Sequence, residues 1–394
     1  MSEPLYFPSN DHDIFGWLHR PAAQHPANIG LVICKPFGYE SLCAHRSLRV
    51  FAETAANLGM PALRFDYLGC GDSADMNPGA DQIQQWVEDI LAAVAELRRR
   101  TGVEQVCLLG VRLGALLATL AAARSGSVGG LILVAPVTIG KRYLRELRTA
   151  RLAANLGTAD QGGQDEGQSG ADTSDSVEFS GYAMSPATMD ALSKIDLTKT
   201  PGPAVADALI LDRQDLPVAG SLFAALRDAG VSAQYLTLPG FVEMAMVAPQ
   251  FARVPVAMTE AIRDWLSQRL GKRMAPVEQP LEASTPTAVD APKRELKLPA
   301  DSSEADGPCE YPVSIGSETP LFGIITLPAQ KEMRRRGVIL LNAGADYHMG
   351  PSRMYVSLAR RWARSGYYVL RLDLAGLGDS NTRVGKPDDV TFPP

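Results

Sequence analysis

Histidine and cysteine are both scarce in this chain, five of each in 394 residues. The histidines are His12, His19, His25, His45 and His348, so none lies between residues 46 and 347. That span cannot supply an imidazole base of its own. Cys34, Cys43, Cys70, Cys107 and Cys309 are scattered and odd in number. No pair has metal-ligand spacing, so no metal site is expected, and reduced thiols in a cytoplasmic setting are the plain reading. No Gly-x-Ser-x-Gly occurs anywhere. No apolar run approaches a membrane span, and residues 1–30 lack a basic-then-apolar signal pattern. No Lys/Arg stripe offsets the formal charge of -6 and the pI near 5.5, which argues against a nucleic-acid partner. Gly69/Gly71 and Gly376/Gly378 resemble phosphate loops, but no Lys-Ser/Thr follows them, and no cofactor is expected.

What is present is ordinary globular material, 46% hydrophobic, in a chain long enough for two domains. It repeats itself. Phe15-Gly16 recurs as Phe322-Gly323, Pro21 as Pro328, Gly30 as Gly337, Arg46 as Arg353 and Gly59 as Gly366. Arg64-Phe65-Asp66-Tyr67-Leu68-Gly69-Cys70-Gly71-Asp72-Ser73 recurs as Arg371-Leu372-Asp373-Leu374-Ala375-Gly376-Leu377-Gly378-Asp379-Ser380. Every pair is 307 residues apart, from 15 to 322 and from 73 to 380, so the alignment has no gap. The expected organisation is one copy of a fold over 1–274, a Pro-, Ala-, Glu- and Ser-rich linker over 275–308, and a partial second copy over 309–394.

In the first copy, apolar strands at Ile29–Cys34, Pro61–Asp66, Val106–Leu109, Gly130–Val134 and Ala206–Leu211 alternate with helical spacing at His45–Leu58, Asp81–Arg100 and beyond Gly114. Such strands, separated by helices, give a doubly wound, mostly parallel sheet covered on both faces. Residues 138–200 interrupt the alternation as a cap insertion. Within it, 157–178 are Gly-, Ser-, Asp- and Gln-rich and read as a loop.

Between the strand ending at Leu109 and the helix-forming run from Ala115 stands Gly110-Val111-Arg112-Leu113-Gly114. Strand, Gly-x-x-x-Gly turn and helix are the setting of a nucleophile elbow, where the central residue is ordinarily Ser. Here it is Arg112, and a guanidinium that stays protonated cannot attack a carbonyl. Together with Pro36-Phe37-Gly38-Tyr39-Glu40 and the Asp-x-x-Gly-x-Gly-Asp-Ser turn at Asp66–Ser73, this elbow resembles the α/β-hydrolase superfamily. More narrowly it resembles the serine-aminopeptidase-like and exosortase-associated hydrolases, some of which carry Arg at the elbow. The resemblance implies an α/β-hydrolase fold with a cap, and hydrolysis of an ester, thioester or amide through an acyl-enzyme.

In that superfamily an acid follows the strand after the cap, and a histidine follows the last strand. Asp215 fits the acid's place; it could equally cap a helix beginning near Pro217. Glu243 stands where the histidine would fall. Backbone N–H groups of Phe37 and Leu113 are the candidate oxyanion hole. With Arg112 beside them they would suit a carboxylate or phosphate ligand. Alternatively Arg112 pairs internally with Asp215 and Glu243. Cys43 and His45 are too close on one helix to face one another as a thiol pair. His348 lines a pocket or lies on a surface loop.

Three functions follow: a hydrolase whose active site belongs to the remainder of the second copy; a non-catalytic module binding a small acyl or carboxylate-bearing ligand or a protein partner; and an unusual nucleophile in the first copy. The second copy supplies only opening strands and is expected to be the less stable half unless it docks on the first.

Overall fold

The computed structural model describes residues 2–22, 27–126, 128–159, 177–179, 182–200, 202–271, 295–299, 307–329, 336–383 and 385–386. The chain opens on an antiparallel hairpin, β1 (Ser2–Ser9) and β2 (His12–His19). Then follow β3 (Ile29–Cys34), α1 (Tyr39–Asn57), β4 (Ala62–Phe65), α2 (Gln82–Thr101), β5 (Gln105–Val111), α3 (Leu113–Arg124) and β6 (Val128–Val134). The cap carries α4 (Gly140–Ala159), the small hairpin β7 (Val177–Phe179) and β8 (Tyr182–Met184), and α5 (Pro186–Ser193). The first half closes with β9 (Asp207–Arg213), α6 (Gly220–Asp228), β10 (Ser232–Leu238), α7 (Phe241–Ala245) and α8 (Val256–Gly271).

One eight-stranded sheet results, in the order β1-β2-β4-β3-β5-β6-β9-β10, parallel from β4 onward. Apart from the opening Gln105 of β5, the central strands β3 and β5 are apolar and buried, as a sheet covered on both faces requires. One face packs under α1 and α8, through Leu48, Phe51, Met258 and Ile262. The other packs under α2 and α3, through Trp86, Ile90, Leu116 and Leu117. Asp81 starts α2 by accepting the amides of Ile83 and Gln84, and left-handed Gly102 ends it.

The second half forms its own sheet from β11 (Leu296–Lys297), β12 (Cys309–Ile315), β13 (Leu321–Leu327), β14 (Gly337–Leu340) and β15 (Tyr368–Leu372), with α9 (Met354–Arg364). Its order, β11-β12-β13-β15-β14, repeats the β1-β2-β4-β3 arrangement of the first sheet. Local detail repeats too. Ser73 Oγ donates to the Asp66 carbonyl at 2.6 Å and accepts from the Phe15 amide. Ser380 Oγ donates to the Asp373 carbonyl at 2.6 Å and accepts from the Phe322 amide. β3 is flanked by β5, whereas β14 ends its sheet with Ile339 exposed. Of the loop expected over 157–178, residues 157–159 continue α4 and 177–178 belong to β7, while 160–176 and most of the 275–308 linker lie outside the described residues; where 275–308 is described, Leu296–Lys297 pairs with β12 instead of remaining apart.

The two halves are joined by a buried ionic interface that the sequence reading did not anticipate. Arg64 bonds Asp379, and Arg371 bonds Asp72 at 2.5 Å. Both are the same pair, exchanged between positions 307 apart. Arg46 donates to the Gly376 carbonyl, and its counterpart Arg353 reaches the matching turn at the Gly71 carbonyl, two residues past Gly69, the counterpart of Gly376. Phe15 stacks on Phe322, its counterpart, with ring centroids 6.4 Å apart. Reciprocal contacts of this kind are what a twofold arrangement produces.

Candidate active site: an elbow that carries arginine

The turn after β5 has the elbow's geometry. Arg112 sits at φ 53, ψ -116, a conformation that costs a non-glycine residue about 1–3 kcal/mol. Backbone bonds hold it there: its amide donates to the Val134 carbonyl, and its carbonyl accepts from Ala115 and Val137. Both flanking glycines are needed for closeness. A Cβ on Gly110 would strike the backbone of Ala115, and one on Gly114 the carbonyls of Cys34 and Lys35. The amides of Leu113 and Gly114 open α3 and so have no acceptor within the helix. Leu113 and Phe37, the two candidate oxyanion-hole residues, line one small enclosed pocket beside the elbow.

The expected partners of Arg112 are not its partners. Its Nε donates to Glu40 Oε1 at 2.8 Å and its Nη2 to Glu146 Oε2 at 2.6 Å. Glu40 lies at the start of α1 and Glu146 on the cap helix α4. The guanidinium stands over Tyr143 at 5.3 Å and Phe241 at 5.8 Å. Burial alone would weaken its hold on the proton; Glu40, Tyr143 and Glu146 outweigh that, and Arg112 is more firmly protonated than an ordinary arginine. Asp215 instead forms a two-pronged pair with Arg213, which draws its carboxyl below the usual range. It does not cap the following helix. Asp212 takes the inward role: wholly buried, it accepts from the amides of Val218 and Ala219 and from the Tyr235 hydroxyl. Glu243 is exposed on α7. Arg112, Asp215 and Glu243 are therefore not one salt-bridged cluster.

Alternative nucleophiles fare no better. Burial pushes the Cys43 thiol up to about 12, far from a ready thiolate. His45, two residues on, stacks on Tyr347 and faces Asp379 at 3.4 Å. His348 is no surface histidine. It is 1% exposed, with Nδ1 2.7 Å from Asp373 and Nε2 2.6 Å from Asp72. Burial would lower its pKa, but the two carboxylates raise it to about 10. It thus bridges the halves as a cation and has no ring nitrogen left for catalysis. The burial arises only because the other half covers it, which no local pattern reports. Among the described residues, no group of His, Cys, Asp and Glu is arranged to hold a metal ion.

Glu40, Tyr143 and Glu146 were missed from sequence. The usable signal was Arg112 itself: a cation at a buried elbow requires nearby anions. Above it opens a cleft of ≈ 660 Å³, with Arg112 and Tyr143 inside and Tyr39, Leu216 and Met246 toward its mouth.

Sheet, elbow and cap together define an α/β-hydrolase-fold protein. Residues 44–169, from α1 through the elbow into the cap, match the family described as serine aminopeptidase, S33. Among solved structures, the chain is similar to Est1E from Butyrivibrio proteoclasticus with ferulic acid bound. The identity is 17% and the TM-score 0.50, over 68% of this chain and 99% of that one. It is also similar to a proline iminopeptidase from Mycobacterium smegmatis, at 16% identity and a TM-score of 0.46, over 68% of this chain and 98% of that one. The likeness to Est1E is one of fold. No curated protein matches the chain significantly in sequence. Among the described residues no helix is long and apolar enough to cross a membrane.

Proposed function

We propose that the first half is a catalytically silent α/β-hydrolase module that binds rather than hydrolyses. The observation that carries this reading is Arg112 at the elbow apex, tied to Glu40 and Glu146 in the nucleophile's place. Acyl transfer requires an attacking group, a base to take its proton, and an acid to orient the base. Arg112 supplies none of these, Asp215 is spent on Arg213, and Glu243 stands exposed on α7 where the histidine would fall. What remains usable is the fold's way of presenting a cation at the floor of a cleft. The resulting function is recognition of a small acidic ligand.

In the same proposal, residues 309–386 are a partial duplicate of the first half that docks on it as a pseudo-twofold partner. The 307-residue offset, the matching strand order and the exchanged Arg–Asp pairs support this. The test is turnover of p-nitrophenyl acetate and butyrate by the full chain against a heat-denatured control. Rates equal to the control are expected; saturable turnover abolished by a fluorophosphonate would refute silence.

A further inference from the structure

Resting on that reading, we infer that the cleft above the elbow is a site for an amphipathic carboxylate whose head group displaces Glu146 from Arg112. Four arginines line the cleft, Arg112, Arg142, Arg145 and Arg213, against two glutamates, Glu40 and Glu146. Arg213 is offset by Asp215, but its guanidinium still stands 4.9 Å from the Phe241 ring, which Arg112 approaches at 5.8 Å from its own position. Two cations gathered at one ring favour an anion near both.

The two carboxylates now on Arg112 differ in how firmly they are held. Glu40 is 17% exposed in its side chain and also receives the Tyr143 hydroxyl at 3.4 Å. Glu146 is 38% exposed, and its further partner, Arg142 at 3.6 Å, is itself half exposed. Glu146 is the replaceable one. Its carboxylate, seated on Arg112 Nη2 at 2.6 Å, shows what head group the site accepts. A ligand carboxylate in that place keeps Arg112 paired, and Glu146 moves into solvent with Arg142. A hydroxyl there would leave the buried guanidinium with one carboxylate, Glu40, in place of two.

Beyond the head group the walls turn apolar. Tyr39, Leu216 and Met246 are 38%, 48% and 51% exposed at the cleft's rim, and Phe37 and Leu147 lie further in. Exposed apolar side chains around a cationic floor suit an acyl chain ending in a carboxylate. The ≈ 660 Å³ volume is within the range of about 300–1,000 Å³ typical of small-molecule sites.

The experiment is isothermal titration of the full chain with decanoate, decan-1-ol and decyl phosphate, each below its aggregation limit and at low salt. Decanoate should bind saturably, and decan-1-ol about ten-fold more weakly or worse. Arg112→Gln should weaken decanoate about ten-fold. The Glu146→Gln chain should bind decanoate at least about three-fold more tightly, because the internal competitor has lost its charge. Glu146 is exposed enough for that variant to fold even if Arg112→Gln does not. Equal binding of decanol and decanoate, or unchanged or weaker decanoate binding by Glu146→Gln, would overturn the assignment. Tighter binding of decyl phosphate than of decanoate would overturn the carboxylate head group. Labelling of a serine by a fluorophosphonate would remove catalytic silence without touching these outcomes, so the two readings fail separately.

Discussion

Raising the pH should undo the bridge that His348 makes between the halves. Its ring lies between Asp373 at 2.7 Å and Asp72 at 2.6 Å, with a pKa raised from 6.5 to about 10. A histidine whose folded pKa exceeds its unfolded one contributes stability that is complete below the unfolded value. That contribution is lost as pH climbs through the folded value. The window is therefore pH 6.5 to about 10. Across it this group releases one proton on unfolding, so its contribution should fall by about 1.4 kcal/mol per pH unit, or about 3 kcal/mol between pH 6 and 9, partly offset below about pH 7 by buried His19 and His45, whose lowered pKa values give the opposite slope. Carboxylates held below their usual range, such as Asp72 and Asp379, stay ionised throughout and add no slope. Urea unfolding of the full chain at pH 6, 7, 8 and 9 measures the fall. Amide exchange at Val369–Leu372 reports whether it resides in the second half. In His348→Gln the slope should flatten and the stability at pH 6 should already be lower. A wild-type profile that is flat or rising over pH 7 to 9 would refute the reasoning, because it would mean that His348 is neutral between its two carboxylates.

The exchanged pairs should respond unequally. Arg371→Ala takes a cation from Asp72 and Glu310, both buried, but leaves them His348 and Arg360, and should cost about 3 kcal/mol in urea unfolding. Arg64→Ala leaves the buried Asp379 carboxylate with His45 at 3.4 Å, an imidazole that burial keeps from protonating, and should cost more, about 3–5 kcal/mol. Arg112→Ser alone should not produce ester turnover, since among the described residues no imidazole partners Arg112 at the elbow; steady-state assays with p-nitrophenyl butyrate check this. Gly114→Ala forces a Cβ into the carbonyls of Cys34 and Lys35 and should lower stability by about 3 kcal/mol or more, read from thermal melts.

Much of the fold was legible because its signals are local. Apolar runs such as Ile29–Cys34 and Val106–Leu109 needed no partner to be read as buried strands, and Gly110 and Gly114 announced a turn too tight for side chains. The 307-residue repeat was legible by self-comparison alone. Long-range facts were not. Glu40 and Glu146 lie 72 and 34 residues from Arg112, on helices whose packing decides what they reach. Asp212 lies near the end of β9 and Asp215 in the turn just beyond it, and only the pleat and that turn determine that the former points inward and the latter pairs at the surface. The hairpin β1–β2 includes Pro4 and Pro8, which obscure a strand pattern. His348 misled because its surroundings come from Asp72, 276 residues away. The second half, expected to be the less stable one unless it docked on the first, shares a core with Phe15 and Trp17 of the first.

The central claim is that Arg112 has replaced the nucleophile and nothing has taken over its work. Intact-mass analysis of the full chain after incubation with a fluorophosphonate tests it directly. The account requires no adduct beyond that seen on denatured protein. A single stoichiometric adduct mapping to a serine in residues 1–271 would contradict it.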